Sequence, residues 1–225
     1  MDMSDTIKAK MEGFLEDGYL AGNPVGLQNL SIAVYRLLVR GKAVQVADLE
    51  RATNFTVPQI EQLITLIPAS AYDRAPDQSF VSFIGLSINP TAHQFKIGAQ
   101  SLYTWCVFDA LFLPAILGQP AVSTTACPAT GRRIELTINP DGVESASPPL
   151  PVMSIIAPDT DACCSDLRGA FCSQINFFTD RAAFSSWKKR SDSDAVDCIC
   201  LDDAFALAIR RNKARFPDIS LATSL

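Results

Sequence analysis

Histidine is almost missing from this chain: His93 is the single one in 225 residues. That excludes a metal site built on a pair of histidines and leaves any His-based triad hanging on one side chain. Cation is scarce as well. Lys+Arg number 19 against 24 Asp+Glu, giving a net charge of −5 and a pI near 4.9. A general nucleic-acid binder or a polybasic membrane-surface protein needs the opposite balance. No apolar run reaches the roughly 18 residues of a membrane span. The opening MDMSDTIKAKMEGF has neither the apolar core nor the small-residue cleavage pattern of a secretory signal, so a cytoplasmic protein is expected. Phosphate-cradling patterns of the G-x-x-x-x-G-K or G-x-G-x-x-G type do not occur, and neither does a C-x-x-C pair with zinc spacing.

What the chain has instead is sulfur. Seven cysteines are an odd number without an export signal, which reads as free thiols in a reducing compartment rather than a disulfide scaffold. A hydrophobic share of 48% and a charged share of 19% fit a globular protein of one domain or two small ones.

Ile7, Met11, Phe14 and Leu15 lie at helical spacing over residues 4–16, before a loop marked by Gly18, Gly22 and Pro24. A second helix is expected over 27–40, closed by Arg40-Gly41, and a short third one over 46–51. Thr56-Val57-Pro58-Gln59 is a capping box opening a helix with Ile60, Leu63, Ile64 and Ile67 on one face. Two strand-like runs follow, 80–88 and 92–97. Short helix, turn, capped helix and hairpin describe a winged helix. Its second helix holds no Lys or Arg and one Glu61, so the expected role is a packing platform and not DNA binding.

Past residue 98 the texture changes. Residues 102–117 read as one buried helix, bent or shortened by Pro114. A hairpin is expected over 121–126 and 133–138, strands over 152–157, 170–178 and 195–201, helices over 182–190 and 202–215, and a loosely ordered tail. The expected fold class is α+β. A helical, winged-helix-like region (1–98) precedes a mixed or antiparallel sheet with flanking helices (99–225) that carries the chemistry.

Cys106 and Asp109 fall three apart, on one face of that apolar helix. A carboxylate in such surroundings must be paired, protonated or facing a cavity. One pairing open to it is with Arg132 or Arg133; the helix start, in turn, favours a thiolate at Cys106. Strand alternation places Cys172 on a face with Gln174 and Asn176. Cys127, before the Pro128–Gly131 turn, reads as structural. Cys163-Cys164 falls in an acidic loop, and Cys198 and Cys200 share a strand face. Thiolates select soft, thiophilic ions. His93, in the presumed wing, reads as a surface or structural residue.

Leu102-Tyr-Thr-Trp-Cys106-Val-Phe-Asp109, then Cys127-Pro-Ala-Thr-Gly131, then Phe171-Cys172-Ser-Gln-Ile-Asn-Phe-Phe178 resemble the organomercurial (alkylmercury) lyase family. The likeness runs from about residue 25 to 216. It implies an enzyme that cleaves a carbon–mercury bond to a hydrocarbon and Hg(II). The resemblance puts Cys106, Asp109 and Cys172 in the catalytic roles and as ligands of the Hg(II) product, with Asp109 as proton shuttle and Cys127 structural. It implies no required cofactor, release of the ion to low-molecular-weight thiols, and a mercuric-ion reductase as an acceptor. Cys163-Cys164 or Cys198/Cys200 are further stations open to the ion. Where that family often carries a second Cys after the strand Cys, this chain has Ser173. Two other readings stand beside it: a non-catalytic soft-metal-binding or sensing protein on a winged helix, and a Cys106-dependent hydrolase, for which the lone His93 is a poor base.

Overall fold

The computed structural model describes residues 3–17, 22–191 and 195–221. The expected loop at 18–21 and the end of the tail, 222–225, lie outside the described residues. Helix α1 (Met3–Asp17) is followed by α2 (Val25–Leu38), α3 (Val46–Ala52) and α4 (Val57–Ile64). In α4 the capping box closes as the sequence predicts: the Thr56 N–H donates to Gln59 Oε1 at 2.8 Å, and Pro58 sits in the first turn. Ile60 and Ile64 are buried, one helical turn apart.

A sheet of eight strands follows: β1 (Tyr72–Arg74), β2 (Phe80–Phe83), β3 (Leu86–Ser87), β4 (His93–Ile97), β5 (Gln100–Thr104), β6 (Ala121–Ala126), β7 (Arg133–Asn139) and β8 (Gly142–Ser147). Their spatial order is β1-β2-β3-β5-β4-β6-β7-β8, with antiparallel neighbours. The sheet is continuous across residue 98, because β4 and β5 are the two arms of one hairpin. Within β6 and β7 the burial alternates, as for a sheet with one face toward the core. Three more strands, β9 (Val152–Ile156), β10 (Phe177–Phe178) and β11 (Val196–Cys200), form a second antiparallel sheet with β9 in the centre. All five residues of β9 are buried.

Helix α5 (Val107–Leu117) lies in the interior and ends on Gly118, whose φ of 66° is a left-handed cap suited to glycine. Ten of its eleven residues are buried, and apart from Asp109 these ten are apolar, so the helix has no polar solvent face. The remaining helices are α6 (Thr160–Ser165), α7 (Leu167–Ala170), α8 (Arg181–Ser191) and α9 (Leu201–Arg215). Helix α9 packs on both α1 and α5. No helix among the described residues is long and apolar enough to cross a membrane.

Four local expectations are corrected. Residues 102–106 are not helix: Gln100–Thr104 is a strand, and Cys106 is the residue that caps α5. Pro114 neither shortens nor stops α5, since it sits in the last turn and costs a single backbone bond there. The run 80–88 is two strands split by a tight turn at Ile84-Gly85. Residues 170–178 are not one strand either: α7 runs into a 3-10 turn, Cys172–Gln174, and only Phe177–Phe178 pair with β9.

Candidate active site

Cys106 sits where β5 ends and α5 begins, with extended backbone (φ −144°, ψ 176°). Its N–H donates to Asp109 Oδ2 at 2.7 Å, and the Asp109 N–H turns back toward the Cys106 side chain. This is a capping box with a thiol in place of the usual hydroxyl. It explains how an aspartate can stand in an apolar helix: at the N-terminal turn its carboxylate meets orphan N–H groups and the positive end of the helix dipole. The pairing with Arg132 or Arg133 does not form; Arg133 bonds Glu135 instead.

Cys172 arrives from the 3-10 turn. The turn is held locally, by Gln174 N–H to the Phe171 carbonyl at 3.0 Å, by Ile175 N–H to the Cys172 carbonyl at 3.2 Å, and by the Ser173 hydroxyl to the Gly169 carbonyl at 2.7 Å. Phe171 anchors it, stacking on Phe14 of α1 at 5.7 Å and meeting Phe108 of α5 edge-on at 6.4 Å. Each such ring pair contributes about 0.5–1.5 kcal/mol beyond area burial. Arg168 adds a brace, its guanidinium 4.1 Å from the Trp105 ring centroid and paired with Asp73. These contacts carry Cys172 onto the start of α5.

One ligand atom each of Cys106, Asp109 and Cys172 lies within 4.8 Å of the others, and all three residues are buried. The face shared with Gln174 and Asn176 is therefore replaced by a turn that sends Cys172 inward. Burial pushes the Cys106 thiol well above its ordinary value, reinforced by its hydrogen bond to Cys172 and the Asp109 charge. The helix-start preference for a thiolate is thus outweighed by desolvation. Burial also raises Asp109, to about 6, against the opposing N–H of Cys106. A buried carboxyl poised near neutrality beside two thiols can take a proton from sulfur and return it to a bound group.

The cavity at Asp109 and Cys172 is small, about 40 Å³, and lined mainly by Phe14, Leu15, Phe108, Phe112 and Phe171. Ile84 and Gly85 form part of its wall.

A sequence model of the alkylmercury lyase family matches residues 86–211. The alkylmercury lyase of Streptomyces lividans is 40% identical over 152 residues, 68% of each chain. That of Staphylococcus epidermidis is 32% identical over 197 residues, 88% of this chain and 87% of its own. That of Pseudomonas putida is 30% identical over 206 residues, 91% and 92% of the two chains. This chain belongs to the alkylmercury lyase family. The fold agrees: a crystal structure of the mercury-bound form of MerB2 superposes with a TM-score of 0.72 at 22% identity, covering 93% of this chain and 98% of that one.

In this family member Cys163 neighbours Cys172 of the cluster, and the remaining cysteines lie outside the set of three. Cys127 is buried in the β6–β7 turn, its carbonyl accepting from Gly131 N–H at 2.8 Å and its N–H donating to Arg132 at 2.8 Å. Burial works to raise its thiol, but the Thr130 hydroxyl and backbone N–H groups outweigh that and leave it lowered. Cys163 and Cys164 are on α6, not in a loop. Cys163 is buried and pushed up to about 11, by burial first and then by the neighbouring Cys172, while Cys164 is exposed. Cys198 lies 3.6 Å from Arg181 Nη1, and Cys200, at the start of α9, lies 3.3 Å from Asp203. His93 bonds the Thr125 hydroxyl through Nδ1 at 2.9 Å. Two contributors to the site, Gly85 and Arg211, were not expected from sequence. A lone glycine inside a strand pattern was the signal for the first. For the second it was an arginine on the inward face of an amphipathic helix.

Proposed function

We propose that this chain is an organomercurial lyase that cleaves the carbon–mercury bond by protonation, with Cys106 and Cys172 as the sulfur ligands and Asp109 as the proton shuttle. The observation that carries the reading is the closed set of two thiols and one carboxyl, mutually within 4.8 Å. A thiol that coordinates a soft metal gives up its proton. The first cysteine displaces the counter-ligand of R–Hg–X, which leaves as HX. The second sulfur adds to the same mercury and passes its proton to Asp109. Electron density from two thiolates weakens the mercury–carbon bond, and Asp109 delivers the proton to carbon as that bond breaks. The balance is R–Hg–X plus two cysteine thiols to R–H, HX and Hg(II) held by both sulfurs. No cofactor enters this balance. The ion then leaves by exchange onto low-molecular-weight thiols, and a mercuric-ion reductase is the acceptor proposed for it.

We place the reacting groups in residues 99–225 and treat 1–98 as a helical, winged-helix-like platform that also walls the site through Phe14, Leu15, Ile84 and Gly85; α2–α4 followed by β1–β3 support that reading. The absence of Lys and Arg from 56–67 argues against DNA binding, and a cytoplasmic location follows from the need for reduced thiols.

The test is incubation with methylmercury or phenylmercury and excess thiol, with gas chromatography of the headspace. Methane or benzene is the expected product. Tight Hg(II) binding without hydrocarbon would favour a soft-metal-binding protein and refute the lyase reading.

A further inference from the structure

Arg211 takes no part in the proton and sulfur transfers of the proposed reaction. It lies on α9 with 4% of its surface exposed, and among the described residues it makes no ion pair. Its guanidinium carbon lies over the ring of Phe112 of α5, 3.5 Å from the centroid. Nη1 donates to Asn212 Oδ1 at 2.8 Å, and Asn212 in turn donates to the Phe112 carbonyl at 3.0 Å. Nη2 is buried without a partner of regular hydrogen-bond geometry, although the Tyr35 hydroxyl stands near the guanidinium. The same side chain lines the cavity that holds Asp109 and Cys172. A fixed, permanently charged group is costly in such a place unless an anion meets it.

The Asp109 carboxylate already acts on Arg211 across the cavity, and loading adds the charge of two thiolates. Hg(II) bound by two thiolates and one carboxylate carries one net negative charge, in surroundings too apolar to disperse it. We propose that Arg211 is the built-in counter-charge of the loaded site, a positioning residue whose cation lets two thiolates and the Asp109 carboxylate surround one mercury at the same time. This inference rests on reading the cluster as the mercury site. The contact with Phe112 and the Asn212 bond fix the charge in position before the ion arrives, so no reorganisation is needed when it does.

The experiment measures Hg(II) affinity by competition with a dithiol, together with single-turnover hydrocarbon release, for the full chain and for Arg211→Met and Arg211→Lys. The wild-type protein is measured first: if it fails to bind Hg(II) or to release hydrocarbon, the lyase reading fails rather than this one. Arg211→Met is expected to bind Hg(II) on the order of tenfold or more weakly, and Arg211→Lys to stay within about threefold of wild type. A merely structural guanidinium gives a different pattern, since lysine lacks the planar fork and both variants then lose alike. Unchanged affinity in folded Arg211→Met overturns the proposal. So does a tenfold loss in folded Arg211→Lys, which decides the matter even if the methionine variant does not fold.

Discussion

Replacing Gly85 by alanine tests whether the carboxyl position, and not the presence of sulfur, sets the rate. Gly85 has φ +97°, a conformation that L side chains rarely adopt, and the strain costs about 1–2 kcal/mol. A Cβ there would stand 2.5 Å from both Asp109 Cγ and Oδ1 and 2.9 Å from Asp109 Cβ. Something must move by about an ångström to restore normal contact. The turn cannot easily retreat. The Gly85 carbonyl accepts from Trp105 N–H at 2.9 Å, the Ile84 carbonyl from the Tyr35 hydroxyl at 2.8 Å, and the Ile84 N–H donates to Ala71 at 2.8 Å. Asp109 yields instead, and its bond from the Cys106 N–H is lost. A displacement of that size at a proton-transfer group costs on the order of a hundredfold in rate. Gly85→Ala is therefore expected to keep both thiols and to bind Hg(II) within about tenfold of wild type. Its hydrocarbon release should fall about a hundredfold, with a loss of about 1–3 kcal/mol in stability. Headspace gas chromatography under single-turnover conditions reads the rate, and urea denaturation reads the fold. A folded Gly85→Ala protein with wild-type turnover would show that Asp109 is not held by this wall and would refute the argument.

Cys106→Ser and Cys172→Ser should each reduce hydrocarbon release to background while the protein stays folded, because a hydroxyl cannot replace a thiolate on mercury; undiminished release from Cys172→Ser sinks the two-sulfur mechanism. Asp109→Asn keeps the sulfurs and should bind Hg(II) but lose turnover by two orders of magnitude or more, read by the same headspace assay. Asp109 also links stability to pH. Its folded pKa, about 6, lies above the ordinary 3.8, so the native state holds the proton more tightly, and its favourable contribution is complete below about pH 4. That contribution fades as pH rises through 6, by about 3 kcal/mol in all. Denaturation of wild type against Asp109→Asn between pH 4 and 7 should reveal this loss in wild type alone. Cys127→Ala should leave turnover near wild type and cost about 1–2 kcal/mol, since its sulfur serves the β6–β7 turn.

Regular elements were legible because their signals are local. The Thr56–Gln59 capping box, the apolar spacing of α2 and α4 and the Pro128–Gly131 turn between β6 and β7 all formed where the residues place them. Residues 102–106 misled because an unbroken apolar run has no period from which to choose helix or strand. There the sheet decided: Leu102 pairs with Phe95, and Tyr103 lies opposite both Gln94 and Ser87. Phe171–Phe178 misled in the other direction. Its alternating pattern is that of a strand, but Ser173 bonds back to Gly169 and the backbone closes a 3-10 turn. Side chains of this kind compete with ladder pairing.

The two sulfurs proposed as ligands stand where regular structure breaks, Cys106 on a strand-to-helix junction and Cys172 in a 3-10 turn, while Asp109 lies in the first turn of α5 against the left-handed Gly85. A sulfur inside a helix or strand is directed by its element's geometry, whereas one at a junction can be aimed at another element. That is why periodicity identified the residue types but not the way they meet. Arg211 marks the exception. Ala204, Leu207, Ala208, Arg211, Asn212 and Arg215 are the buried face of α9, at helical spacing. Three polar side chains on an inward stripe violate the apolar rule that the rest of α9 obeys. Such a violation is stable only if the interior supplies a partner, and the cavity beside Arg211 already contains a carboxylate and, once mercury binds, two thiolates. The polar face of α9 and the acidic, sulfur-bearing start of α5 are therefore two halves of one charge balance, completed when the ion arrives.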